Sequence, residues 1–182
     1  MRRMERELFV YIDLGGRTYS VGRLWTLVRG RKESASFEYD PEWLSRSDRF
    51  SLEPALMLSS GTFHTGGDRP VFCAIGDSAP DRWGRALMRR AERRRAKEAS
   101  ETARTLFEVD YLLMVNDFAR QGALRFCEAP GGEFLAQGKG MIIPPLVELP
   151  RLLSAAESLA DENESAEELR LSLAPGSSLG GA

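Results

Sequence analysis

The sequence predicts an α+β domain, a small antiparallel and barrel-like β-sheet subdomain followed by helices. Three observations carry that prediction. Residues 9–39 are rich in β-branched and aromatic side chains and contain the pair Gly15-Gly16. Residues 80–99 hold an apolar stripe at helical spacing among many arginines. The apolar segments after that helix are short and separated by turn residues. With 182 residues and 42% hydrophobic side chains, the chain can bury a real core.

The elements follow in order. Phe9 to Leu14 and Thr18 to Leu27 read as strands, and Gly15-Gly16 supplies the positive φ angles of a tight hairpin turn. In SASFEY, Ala35, Phe37 and Tyr39 point one way and Ser34, Ser36 and Glu38 the other, which predicts a third antiparallel strand. Asp40 can cap a helix and Pro41 is pre-set for its first position, so PEWLS reads as one helical turn burying Trp43 and Leu44. Residues 45–70 are expected to be irregular, with a short extended piece around Leu52 to Leu58, and Val71 to Ile75 is a candidate strand. Ser78 and Asp81 have the spacing of a capping box, which predicts a helix from about Pro80 to about Ala99 with Trp83, Leu87 and Ala91 on one stripe. TLFEVDYLLMVND reads as a short buried helix, Ala123 to Phe126 as a strand returning to the sheet, and Pro130-Gly131-Gly132 as a turn. Beyond it, Leu149, Leu152, Leu153, Ala156 and Leu159 form a helical stripe. An acidic connector then runs from Asp161 to Glu168, ahead of a short stretch from Leu169 to Leu173.

Composition removes several function classes. Twenty-five basic and 27 acidic side chains give a net charge of -2, which argues against wholesale attraction to nucleic acid or anionic membrane. Any basic surface is local. No stretch approaches the roughly 20 apolar residues of a membrane span. The basic start and the run Leu8 to Ile12 are too short, and too closely flanked by Glu7 and Asp13, for a signal peptide, so a cytoplasmic location is expected. Cys73 and Cys127 sit in apolar settings far apart and read as buried free thiols. With His64 the single histidine, zinc-ligand spacing is missing.

The helix over 80–99 carries Arg82, Arg85, Arg89, Arg90, Arg93, Arg94, Arg95 and Lys97 against Asp81, Glu92 and Glu98. Two readings stand: a solvated outer face, or a docking surface for an acidic partner or a nucleic-acid backbone. Trp83 is the one aromatic beside it, so base reading has no support and direct nucleic-acid binding is not expected. His64, in GTFHTGGD, reads as a surface residue rather than part of a catalytic triad, and no G-x-S-x-G elbow occurs. Asp77 and Asp81 are explained more simply by capping than by acid/base work. In the terminal GSSLGGA, Gly176 and Gly181 have the spacing of a phosphate loop, but Ala182 stands where that loop has its lysine.

GDSAPDRWGRALMRR, VDYLLMVNDFARQGALRF, IPPLVELPRLL and SSLGGA together resemble the N-terminal part of HipA-like serine/threonine kinases, the toxins of type II toxin–antitoxin modules, linked to persistence. The likeness spans nearly the whole chain. It implies a β-rich subdomain over 1–128 and, over 129–182, a linker, a helix and the start of the mobile Gly-rich ATP loop. Ser177, Ser178, Gly180 and Gly181 would then be a partial nucleotide site, with Ser178 at the family's autophosphorylation position and no catalytic or metal-binding residue of its own. ATP and Mg²⁺ are the cofactors of the full-length family, and neither is expected to bind this chain alone. The resemblance further implies a HipB-like DNA-binding antitoxin or a separate kinase chain as partner, and translation proteins such as aminoacyl-tRNA synthetases as substrates. Since the sequence reaches Ala182 without the lysine, the expectations are a truncated or split kinase, inactive alone, or a stand-alone antitoxin-like partner that restrains a separate kinase.

Overall fold

A computed structural model describes residues 3–66, 69–115, 117 and 120–135. Five strands, β1 (Arg3–Leu14), β2 (Arg17–Arg29), β3 (Lys32–Tyr39), β4 (Thr62–His64) and β5 (Leu124–Cys127), form one antiparallel sheet in the order β4-β3-β2-β1-β5. Helices α1 (Pro41–Ser45), α2 (Cys73–Gly76), α3 (Arg82–Glu98) and α4 (Glu108–Met114) complete the described elements.

Alternation decides which face of the sheet is buried. Leu8, Val10 and Ile12 of β1, Leu24 of β2, Ala35, Phe37 and Tyr39 of β3, and Leu124 and Phe126 of β5 share one core with Trp43, Leu56, Phe72, Ile75, Val109 and Leu112. The hairpin turn is made by Gly15 and Gly16, at φ 57° and 78°. Opposite Val10 and Tyr11 the register slips by one residue: Val10 faces Gly22 and Tyr11 faces Ser20. Val21 is the extra residue of this bulge; it turns into the core, and its carbonyl accepts from Asp40 N at 2.8 Å. At Gly22 the third strand comes so close that a Cβ would lie 2.2 Å from the Glu38 carbonyl oxygen. Only glycine fits there.

Most predicted elements are observed, including the Asp40 cap, which accepts from Glu42 N at 3.0 Å, and the buried Trp43, beside which Leu44 is half-buried. Four expectations need correction. Leu52 to Leu58 is not extended; it coils under the sheet because the Tyr39 hydroxyl donates to Leu56 O (2.8 Å) and accepts from Leu52 N (3.1 Å), and the short strand comes later as β4. Val71 to Ile75 is not a strand but leads into α2, since the Glu53 carboxylate accepts from Ala74 N at 2.8 Å and caps a helical turn. Asp81, not Ser78, caps α3, accepting from Gly84 N at 2.8 Å; Ser78 is buried, and its carbonyl is taken by Arg120. Cys73 is exposed because it opens a surface turn, whereas Cys127 is buried in the sheet and both thiols are free.

Candidate interaction surface

Helix α3 brings the largest group of predicted functional side chains together. Its inner side is apolar in two patches: Leu87 packs with Trp83 and Ala91, and Met88 packs with Tyr111, Val115, Leu106 and Met114. The arginines divide by where the helix turns them. Arg85 faces α4, pairing with Glu108 and lying 5.1 Å from the Tyr111 ring centroid. Arg95 reaches back across one turn to Glu92, donating to both carboxylate oxygens at 3.0 and 2.9 Å, and also to Glu101 at 3.0 Å. Glu92, with its side chain 5% exposed, further accepts from Arg104 N at 3.2 Å. The bidentate Arg95 pair is the main reason its carboxyl titrates at about 2 instead of 4.5, outweighing the cost of burial.

This clamp continues into α4. Arg104 donates to Asp110 at 3.0 Å, Asp110 accepts from Phe107 N at 2.9 Å, and the Arg6 guanidinium of β1 lies 4.0 Å from the same carboxylate. From β3, the Glu33 carboxylate accepts from Glu108 N (2.8 Å) and Val109 N (2.9 Å), satisfying amides at the start of α4 that have no partner within the helix. Burial pushes the Glu33 carboxyl up despite those two bonds. A cleft of about 390 Å³ opens between the β2–β3 hairpin and this helix start, lined by Arg31, Lys32, Glu33, Pro70, Leu106, Phe107 and Glu108. Its carboxylates are committed, Glu33 to the helix and Glu108 to Arg85, while Arg31 and Lys32 stand exposed at its rim.

A buried cation holds the other end of α4. Arg120 donates to the carbonyls of Ser78 (3.1 Å), Leu112 (3.0 Å) and Val115 (3.1 Å) and lies 4.8 Å from the Phe126 ring centroid. Burial lowers its pKa to about 10. Neither Glu33 nor Arg120 was evident as a structural residue in the sequence, because their partners stand up to 76 residues away and leave no local spacing to detect.

What remains outward on α3 is a set of unneutralised cations. Arg82, Arg89, Arg93 and Lys97 are all exposed. Among the described residues Arg82, Arg93 and Lys97 have no polar partner, and Arg89 contacts only the neutral Tyr111 hydroxyl, at 3.3 Å. The arrangement can bind anionic groups by charge. His64 is exposed and hydrogen-bonded to Ser36 Oγ at 2.8 Å, as a surface residue would be. Among the described residues no cluster of three or more His, Cys, Asp or Glu side chains is placed to hold a metal ion, and no helix is long and apolar enough to cross a membrane. Ser177, Ser178, Gly180 and Gly181, together with the predicted helix over 149–159, lie outside the described residues.

The sequence profile of the HipA N-terminal domain matches residues 17–108, just over half of the 182-residue chain. The match runs from the first residue of β2 through α3 to the first residue of α4, and so contains the Gly22 bulge, the Trp43 turn and the arginine-rich helix. No curated protein and no solved structure matches the chain. On its sheet, its helices and this match, the chain belongs to the HipA N-terminal domain family.

Proposed function

We propose that this chain is the N-terminal module of a HipA-like serine/threonine protein kinase toxin, a docking and regulatory body that does not transfer phosphoryl groups by itself. The observation that carries the reading is the family match over β2 to the start of α4, followed in the same sequence by the Gly-Ser segment Gly176 to Gly181. Phosphoryl transfer is positioning plus charge stabilisation: a lysine on the phosphates, acidic residues holding Mg²⁺ and a catalytic-loop base. On this reading a kinase core, covalently continuous or separate, supplies those groups, and ATP with Mg²⁺ binds there. Ser177, Ser178, Gly180 and Gly181 contribute one wall of the nucleotide site, and Ser178 is the serine whose phosphorylation switches the kinase off. The partners are a HipB-like antitoxin and the kinase core, the substrates are translation proteins such as aminoacyl-tRNA synthetases, and the work is done in the cytoplasm.

The test is incubation of the purified chain with Mg-ATP, alone and with a separately expressed HipA-like kinase core. No phosphate incorporation alone, and incorporation at Ser178 with the core present, is expected. Incorporation at Ser177 or Ser178 by this chain alone overturns the reading. Stable co-purification with an intact, separately encoded kinase that it inhibits would instead make it a stand-alone, non-enzymatic antitoxin-like partner.

A further inference from the structure

The outward cations of α3 form a continuous stripe. At 100° per residue, Arg82, Arg89, Arg93 and Lys97 fall within an arc of roughly 80°, and at 1.5 Å per residue they extend over about 22 Å. No acidic residue of the helix lies in that arc: Glu92 is turned inward and Glu98 pairs with Arg94. Four positive charges on one exposed face repel one another. Such a face is stabilised by an anionic occupant.

The chain carries a matching segment. Residues 1–128 hold 22 basic and 19 acidic side chains, while residues 129–182 hold 3 basic and 8 acidic, so the two parts carry +3 and -5 of the net -2. Five of those eight acids, Asp161, Glu162, Glu164, Glu167 and Glu168, fall in one run of eight residues. Reach is not limiting, since the stretch between Leu135 and Asp161 can span up to about 85 Å when extended. We propose that this acidic run docks on the Arg82–Lys97 face of α3 in the same chain, covering the cation stripe and competing with any outside polyanion for it. This inference does not depend on the kinase reading.

Lysine scarcity makes the test clean. The chain has three lysines, Lys32, Lys97 and Lys139, and only Lys97 stands on α3. Zero-length carbodiimide cross-linking of the full chain, read by mass spectrometry, is expected to join Lys97 to carboxylates within 161–168. The yield should fall at least threefold when salt is raised from about 50 mM to about 500 mM, because the Debye length contracts well below its ~10 Å value at 0.1 M. The triple variant R82E/R89E/R93E keeps Lys97, alters exposed positions only, and should lose the cross-link while retaining the wild-type circular dichroism spectrum. As an independent reading, D161N/E162Q/E164Q/E167Q/E168Q should shift the amide resonances of α3 and raise affinity for heparin at least fivefold. The proposal is overturned if Lys97 joins only its own neighbours such as Glu98 and Glu101, or if the links form between copies in a mixture of ¹⁴N- and ¹⁵N-labelled chains. Duplex DNA binding of equal strength with and without the acidic run also overturns it and assigns the stripe to nucleic acid.

Discussion

Glu92 is the side chain on which Arg95 of α3 and Arg104 of the segment after it converge, and replacing it with glutamine tests whether its charge holds the helix in place. The geometry sets the magnitude. A carboxyl that titrates at about 2 rather than 4.5 has a ceiling of about 3.4 kcal/mol of charge-dependent stabilisation. The Arg95 and Arg104 side chains are 51% and 47% exposed, so solvent screens much of that, and about 1–2 kcal/mol is the expected loss at pH 7. The sign follows from the direction of the shift. With the folded-state pKa below the unfolded one, the stabilisation is complete above about pH 5 and disappears as pH falls through 4.5 toward 2. The amide of Glu92→Gln keeps nearly the same shape and still accepts from Arg104 N, so a pure packing defect is avoided. Urea unfolding of both proteins at steps from pH 7 to pH 3 is the assay. The wild type should lead by about 1–2 kcal/mol at pH 7, and the two curves should converge on acidification. A gap that stays constant with pH, or no gap at pH 7, refutes the assignment of an ionic clamp to Glu92.

Three further predictions concern the frame that presents α3. Gly22→Ala places a methyl group 2.2 Å from the Glu38 carbonyl oxygen and 2.7 Å from Phe37 Cζ, so urea unfolding should show a loss of about 3 kcal/mol or more; a loss under 1 would mean the β2–β3 approach is not as close as described. Arg120→Met leaves three buried carbonyls without their donor and should cost about 3 kcal/mol or more, and Arg120→Lys should not restore it, since one ammonium group cannot reproduce the planar fork that reaches all three. With an Ellman-type thiol reagent in native buffer, Cys73 should react at once and Cys127 only on unfolding, because burial both covers the Cys127 thiol and raises its pKa; equal rates would contradict the sheet position of Cys127.

Legibility in the sequence tracks the distance over which each decision is made. The Gly15-Gly16 turn, the alternation through Tyr39 and the Asp40-Pro41 helix start are settled by near neighbours, and all are observed as read. The failures are decisions made from afar. Val71 to Ile75 has strand composition, yet Glu53, about twenty residues earlier, caps it into a helix. Ser78 and Asp81 are both good caps three residues apart, and what separates them is Arg120, 42 positions on, whose guanidinium takes the Ser78 carbonyl and fixes that residue inside. Cys73 has apolar neighbours on both sides and still faces solvent, because the turn it opens rotates Phe72 and Ile75 inward instead.

The same division explains why the arginines of α3 could be counted in the sequence but not sorted. A residue that suits both a solvated face and a buried clamp carries no label of its own; the label is the carboxylate it meets. Glu92 and Glu108 take Arg95 and Arg85, and neither pairing is distinguishable in sequence from the many other acid–base spacings along the helix. Once these are set aside, together with Arg94 on Glu98 and the partnered Arg90, the leftover Arg82, Arg89, Arg93 and Lys97 share one exposed face with no acid among them. A helix that commits its acids to one side and leaves four cations on the other has stability invested in the first face and charge held available on the second. That separation gives α3, and not the cleft beside it with its committed carboxylates, the uncompensated positive face of this domain.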